Sequence, residues 1–147
     1  MTTLLKAIIL SLVASAGLAE GNWQAEDQAP TGKFLTATET RPILSATKAS
    51  WIAIREFNGQ DLVYFTHLVS WRCGLYSVKF SINGGDFQNF KISECPPEIN
   101  QPNAIPEDAE VYLVFDLGSV KSIEIELLYD DLGQDSASYE RSAVLMR

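Results

Sequence analysis

The chain has two cysteines, Cys73 and Cys95, and both flank one segment with the pattern of a β-hairpin. Tyr76, Val78, Phe80 and Ile82 alternate with Ser77, Lys79 and Ser81, Asn83-Gly84-Gly85-Asp86 supplies a turn, and a second run goes from Phe87 to Ile92. A type I′ turn at Asn83-Gly84 requires positive φ at both residues, which Asn tolerates and Gly accepts without strain. That turn sets Phe80 opposite Phe87. Continuing its register puts Val78 opposite Asn89, one residue out of phase with Phe90 and Ile92. A bulge near Gln88-Asn89 corrects the phase, pairs Val78 with Phe90 and Tyr76 with Ile92, and extends to pair Cys73 with Cys95. The expected disulfide contributes about 3 kcal/mol in the chain-entropy model for a loop of this size. Cys73 has the parity of Trp71 and Leu75, not of Tyr76 and Val78; a local twist at Gly74 would reconcile them.

Residues 1–19 form a signal-peptide pattern: Lys6 as the charge of a short n-region, an apolar run from Ala7 to about Ala14, and small residues leading to cleavage after Ala19. The run is shorter than the roughly 20 residues that cross a bilayer, and no other stretch is long enough. Residues 20–32 read as a polar N-terminal tail and 33–147 as one domain. A periplasmic or secreted location follows, where two cysteines can be oxidised. The chain holds no Asn-x-Ser/Thr acceptor, which favours a bacterial periplasm. The net charge is −8 and becomes one unit more negative when Lys6 leaves with the signal. That sign argues against nucleic acid and anionic membranes as partners.

Lys33 to Thr40 is rich in β-formers and predicts a first strand, ended or bent at Arg41-Pro42. Trp51–Phe57 and Leu62–Trp71 flank Asn58-Gly59, a second hairpin signal. A two-residue turn sets Ile54 opposite Val63 but also Glu56 opposite Asp61; a longer loop through Gln60 and Asp61 avoids that repulsion and changes the register. Both are open at this point, as is a helix over Thr47–Glu56 in place of the first strand of the pair. Leu62 to Val69 is apolar on both faces and predicts a central strand. Residues 96–106 hold four prolines and predict a long connection, a place where function often resides. Val111–Leu117 and Ser122–Tyr129 alternate cleanly, Asp130–Asp135 reads as a turn, and Tyr139–Met146 as the closing strand. The expected fold is all-β, an antiparallel β-sandwich of about eight strands with one disulfide.

Val78–Phe87, an alternating strand that meets an Asn-Gly-Gly-Asp turn and then an aromatic, resembles the hairpin of bacterial immunoglobulin-like and fibronectin type III-like sandwiches. Gly118–Gly133 resembles the strand of those domains that ends in an Asp-x-x-Gly turn. The likeness spans roughly residues 76–135. It departs in having Phe87 where such hairpins often carry Trp, and in its cysteine bracket. The resemblance implies a scaffold for binding and spacing, without catalytic residues to transfer.

The residues offer little chemistry of their own. His67, the one histidine, sits in the doubly apolar strand and reads as a hydrogen-bonded core imidazole. Asp116-Leu117-Gly118-Ser119 lacks the second copy an aspartic-protease site requires. Asp130, Asp131 and Asp135 are weak metal candidates in a spacing unlike an EF-hand loop, and a solvated turn is preferred. Glu124 and Glu126 read as protection of a wet face. Trp23, Trp51, Trp71 and Tyr139 are candidates for a sugar-binding platform, although most aromatics in a domain of this size are core. The expectation is a non-catalytic β-sandwich that binds a protein or cell-envelope component, with no cofactor. The alternatives are a carbohydrate-binding module and a hydrolase with an acidic site.

Overall fold

A computed structural model describes residues 21–95 and 101–147. The signal pattern and residues 96–100 of the proline-rich connection lie outside the described residues. The fold is mixed α/β, with three helices and two open antiparallel sheets, and this overturns the expected all-β sandwich and its immunoglobulin-like or fibronectin-like resemblance. One sheet, A, has the order β1-β2-β5, from Ala53–Phe57, Gln60–Tyr64 and Tyr112–Asp116. The other, B, has the order β4-β3-β6-β7, from Gln88–Phe90, Leu75–Ile82, Ser122–Tyr129 and Gln134–Glu140.

The predicted first strand is a helix, α1, over Ala37–Ala46. Thr36 is its N-cap, and the Glu39 carboxylate returns to accept from Thr36 N at 3.4 Å. Glu39 also accepts from Thr31 N, Gly32 N and Leu35 N at 2.7, 2.7 and 2.9 Å. These donors, with the Thr31 hydroxyl foremost and burial in part opposing them, hold its carboxyl down to about 2. Pro42 lies inside α1, where it removes one backbone donor without ending the helix. Ala37 and Leu44 are fully buried on the core side, and that packing outweighs the β-propensity of the threonines.

Three carboxylates anchor α1 along its length. Asp130 accepts from Ala37 N at 2.9 Å at the first turn, Asp131 pairs with Arg41 at 2.5 Å, and Asp135 pairs with Lys48 at 2.7 Å beyond the helix end. Gly74, at φ +91°, lets the start of α1 approach: a Cβ there would lie 2.7 Å from the Thr36 carbonyl carbon and 2.9 Å from Ala37 N. The tail docks alongside, with Trp23 stacked on Tyr76 at 4.5 Å, Glu26 N bonded to Asp130 O, and Gln28 bonded to Asp130 and Thr38.

Both Asn-Gly turns form, with Asn58 and Gly59, then Asn83 and Gly84, at positive φ. The first keeps the two-residue register: Ile54 pairs with Val63 and Glu56 with Asp61. A short 3-10 turn, Lys48–Ser50, occupies part of the segment where a helix was the rival to β1. In the second hairpin Val78 pairs with Phe90 as predicted, but Phe80 already pairs with Gln88. The extra residue therefore lies between Gly85 and Gln88, ahead of the predicted Gln88-Asn89. Cys73 and Cys95 are bonded, with Cα atoms 5.2 Å apart. A register shift between Leu75 and Ser77 against β6 resolves the parity of Cys73, since it lets Cys73, Leu75 and Val78 all turn inward.

Two further expectations fail. The strand predicted over Leu62–Val69 stops at Tyr64, and Thr66–Ser70 forms a short helix, α2. Phe65 at the switch is fully buried and stacks on Phe90 at 4.0 Å, which rewards the departure from the strand. The closing strand is the polar Gln134–Glu140, and the segment after it forms α3, Arg141–Val144. Val111–Leu117 and Ser122–Tyr129 behave as read: Ile123, Ile125, Leu127 and Tyr129 are buried, while Glu124 and Glu126 face water. One core joins α1, α2 and the inner faces of both sheets, with Trp51, Phe65 and Tyr129 its largest side chains.

Candidate functional site

An apolar cleft opens where β1, β2, α2 and the C-terminal residues meet. It has a volume of about 530 Å³, and its walls include Trp51, Ala53, Arg55, Tyr64, His67 and Met146. Each wall has a local cause. Ala53, Arg55 and Phe57 alternate outward on β1 while Ile54 is buried, so Arg55 stands on the outer face, 4.4 Å over the Phe57 ring. Met146 is placed by its N–H, which bonds Ile54 O at 2.7 Å beside a parallel bridge between Ile54 and Leu145. Trp51, fully buried, backs the cleft and donates its indole N–H to Leu44 O at 2.9 Å, so it leaves no unsatisfied donor behind the wall.

His67 owes its position to the break in the predicted strand. In α2, Leu68 and Val69 are buried, whereas Thr66 and His67 turn to the cleft. Its Nε2 lies 2.8 Å from the Thr47 hydroxyl, which gives its own hydrogen to Ile43 O at 2.7 Å. The hydroxyl has only one hydrogen, so it must accept from Nε2–H, and the lone pair of the ring sits on Nδ1. Burial lowers the imidazole pKa from its ordinary value, which favours the neutral form. No described residue bonds Nδ1. His67 is thus a half-buried wall residue and not the core imidazole expected.

The other candidates disperse. Asp130, Asp131 and Asp135 each serve a different part of the α1 segment, as described, and among the described residues no group of three acids, histidines or cysteines could hold a metal ion. Desolvation raises the Asp130 carboxyl above its ordinary range, whereas the Arg41 guanidinium holds Asp131 below it. Trp51 is fully buried, Tyr139 is buried with its hydroxyl on Lys48 O, Trp71 meets Phe34 edge-on, and Trp23 stacks on Tyr76. No sugar platform is built from them. With the sandwich itself absent, the β-sandwich binding module is overturned in both its protein-binding and carbohydrate-binding forms.

Two charged groups escaped the sequence reading. Asp61 has no exposed side-chain surface and forms a two-pronged pair with Arg141, Nη1 to Oδ2 at 2.6 Å and Nη2 to Oδ1 at 2.9 Å. It also accepts from Gly118 N and Val120 N, and Arg141 reaches Glu56 at 2.6 Å. The signal was present in the Glu56–Asp61 conflict, which demanded a cation. Arg72 is 3% exposed and has no carboxylate partner among the described residues; it donates to the carbonyls of Val69, Glu94 and Ala104, tying the proline-rich connection to α2. Burial lowers its pKa from the usual guanidinium value. Nothing in the spacing of Arg72 marks it for this role.

No family model, curated protein or solved structure matches the chain.

Proposed function

We propose that the chain binds a small amphipathic acid in the His67 cleft: an acyl or aromatic body that also carries a hydroxyl or amide N–H. One observation carries this reading: among the described residues, His67 Nδ1 has no donor, and the apolar cleft it faces also holds an Arg55 without an ion pair. The body of the ligand would lie against Ala53, Tyr64 and Met146. Its donor would bond Nδ1, and its anionic end would meet Arg55 at the outer wall.

A binding role, and not catalysis, suits the same groups. The one hydroxyl bonded to His67, that of Thr47, has already given its hydrogen to Ile43 O, so it offers the imidazole no protein nucleophile to activate. The signal-peptide pattern of residues 1–19 and the Cys73–Cys95 bond support an oxidising compartment outside the cytoplasm as the place where the ligand is met. No helix among the described residues is long and apolar enough to cross a membrane.

The test is thermal unfolding of the full chain against a panel of N-acyl amino acids and hydroxylated acyl acids. A ligand at about 100 times its Kd should add about 2.7 kcal/mol of stability. The gain should shrink in Arg55→Ala and in His67→Phe. A panel without effect, or protection unchanged in both variants, would sink the reading.

A further inference from the structure

The free edges of the two sheets are treated differently. The edge of β1 is covered by Leu145 and Met146, β4 is only three residues long, and β7 is polar along its length. β5 has none of these protections: Tyr112-Leu113-Val114-Phe115-Asp116 holds no Lys or Pro and pairs with β2 without a bulge. Among the described residues no strand lies on its other side.

The direction of its backbone groups follows from the ladder. Phe65 N bonds Val111 O at 2.7 Å in the register that continues β2 with β5, so hydrogen-bonded pairs alternate onward as Val63 with Leu113 and Asp61 with Phe115. The N–H and C=O of Tyr112 and Val114 therefore point away from the sheet. Their side chains are 44% and 48% exposed on the outer face. On the inner face Leu113 and Phe115 are half-buried and already pack against the core, so a further strand would extend an existing layer.

Charge selects the occupant. Glu107, Asp108 and Glu110 precede β5 and Asp116 closes it, all exposed and without an ion pair among the described residues. A second copy paired antiparallel about Leu113, so that Tyr112 and Val114 exchange their outward-facing hydrogen bonds, would set Glu110 of one chain opposite Asp116 of the other at both ends, between chains that each carry −8. We propose that the free edge of β5 receives an extended peptide of another protein, with apolar residues at alternate positions and Lys or Arg at its ends, as a fourth strand of sheet A.

The probe is the capped peptide Lys-Val-Thr-Val-Thr-Val-Lys, titrated into the full chain and followed through the backbone amide signals. Tyr112 and Val114 should shift on binding. N-methylation of the alternate amides that face β5 should weaken binding by about tenfold or more, the size of one hydrogen bond left unmade, whereas methylation of the other set should not. Val114→Pro should abolish binding with circular dichroism preserved, because its N–H faces solvent and a proline is tolerated there. The methylated peptides carry the same comparison should that variant fail to fold. No binding, equal binding by both methylated sets, or equal binding by a peptide with Glu at its ends overturns the proposal. So does a dimer in sedimentation that Val114→Pro dissociates, which would give the edge to a second copy.

Discussion

Replacing Arg141 by Met tests what holds sheet A to the rest of the fold. The carboxylate of Asp61 has no exposed surface and takes four donors: two from the Arg141 guanidinium, with Gly118 N at 3.0 Å and Val120 N at 3.2 Å. Arg141→Met leaves it with two neutral donors and with Glu56 directly across the hairpin. Removing one partner of a buried pair costs about 3–5 kcal/mol, a large share of the roughly 5–15 kcal/mol that stabilises a domain of this kind. Urea unfolding at pH 7 reads the loss, equivalent to a Tm lower by about 10–20 °C. The pH dependence gives an independent check. The Arg141 guanidinium foremost, then Gly118 and Val120 N–H against opposing desolvation, hold the Asp61 carboxyl well below its ordinary range. A depressed carboxylate contributes stability above its unfolded pKa near 4 and loses it as pH falls. Without the cation the folded pKa of Asp61 rises, so protonation relieves the variant, and its deficit should narrow as pH drops through and below 4. A loss under about 1 kcal/mol at pH 7, or a deficit that widens in acid, would refute the electrostatic account.

Two further substitutions probe the packing of α1. The Tyr129 hydroxyl is buried without a hydrogen-bond partner among the described residues, and desolvation foremost pushes its pKa up to about 12. Tyr129→Phe should therefore raise stability by about 1 kcal/mol in urea unfolding, with the Arg41 contact to the ring retained; a loss would mean that the hydroxyl has a partner in solution. Gly74→Ala combines a positive φ with a Cβ driven into backbone atoms of Thr36 and Ala37, and should cost about 3–5 kcal/mol by the same measurement. A near-neutral result would show that α1 can move away from Gly74 freely.

The strands were legible wherever one face is wet. Ile123, Ile125, Leu127 and Tyr129 alternate with polar residues in β6, and both Asn-Gly turns specify positive φ by residue type, so the Ile54–Val63 and Val78–Phe90 pairings could be read from spacing. β7 escaped because an edge strand with one buried aromatic, Tyr139, has no hydrophobic period to detect. The Leu62–Val69 run misled for the opposite reason: apolar on both faces, it fits a buried strand and a buried helical turn equally, and only the Phe65 stack on Phe90 decides between them. The cleft depended on that decision. With His67 in a strand its ring belongs to the core, whereas in α2 it becomes a wall residue with a free acceptor.

Helix α1 shows how local and distant signals must be weighed together. Thr36-x-x-Glu39 is a capping-box sequence ahead of buried Ala37 and Thr40, a start signal as specific as the alternation of threonines that suggested a strand. What tips the balance lies far along the chain. Asp130, Asp131 and Asp135 look like a solvated turn or a poor metal loop when read alone, yet their partners follow in order along the α1 segment: Ala37 N at its first turn, Arg41 within the helix, and Lys48 in the 3-10 turn beyond its end. Such a match between an acidic turn and a helix more than eighty residues earlier has no period to detect. The acidic turn therefore tells against metal chemistry for a physical reason: each carboxylate already has a protein donor, and gathering all three on one cation would release the start, middle and end of the α1 segment together.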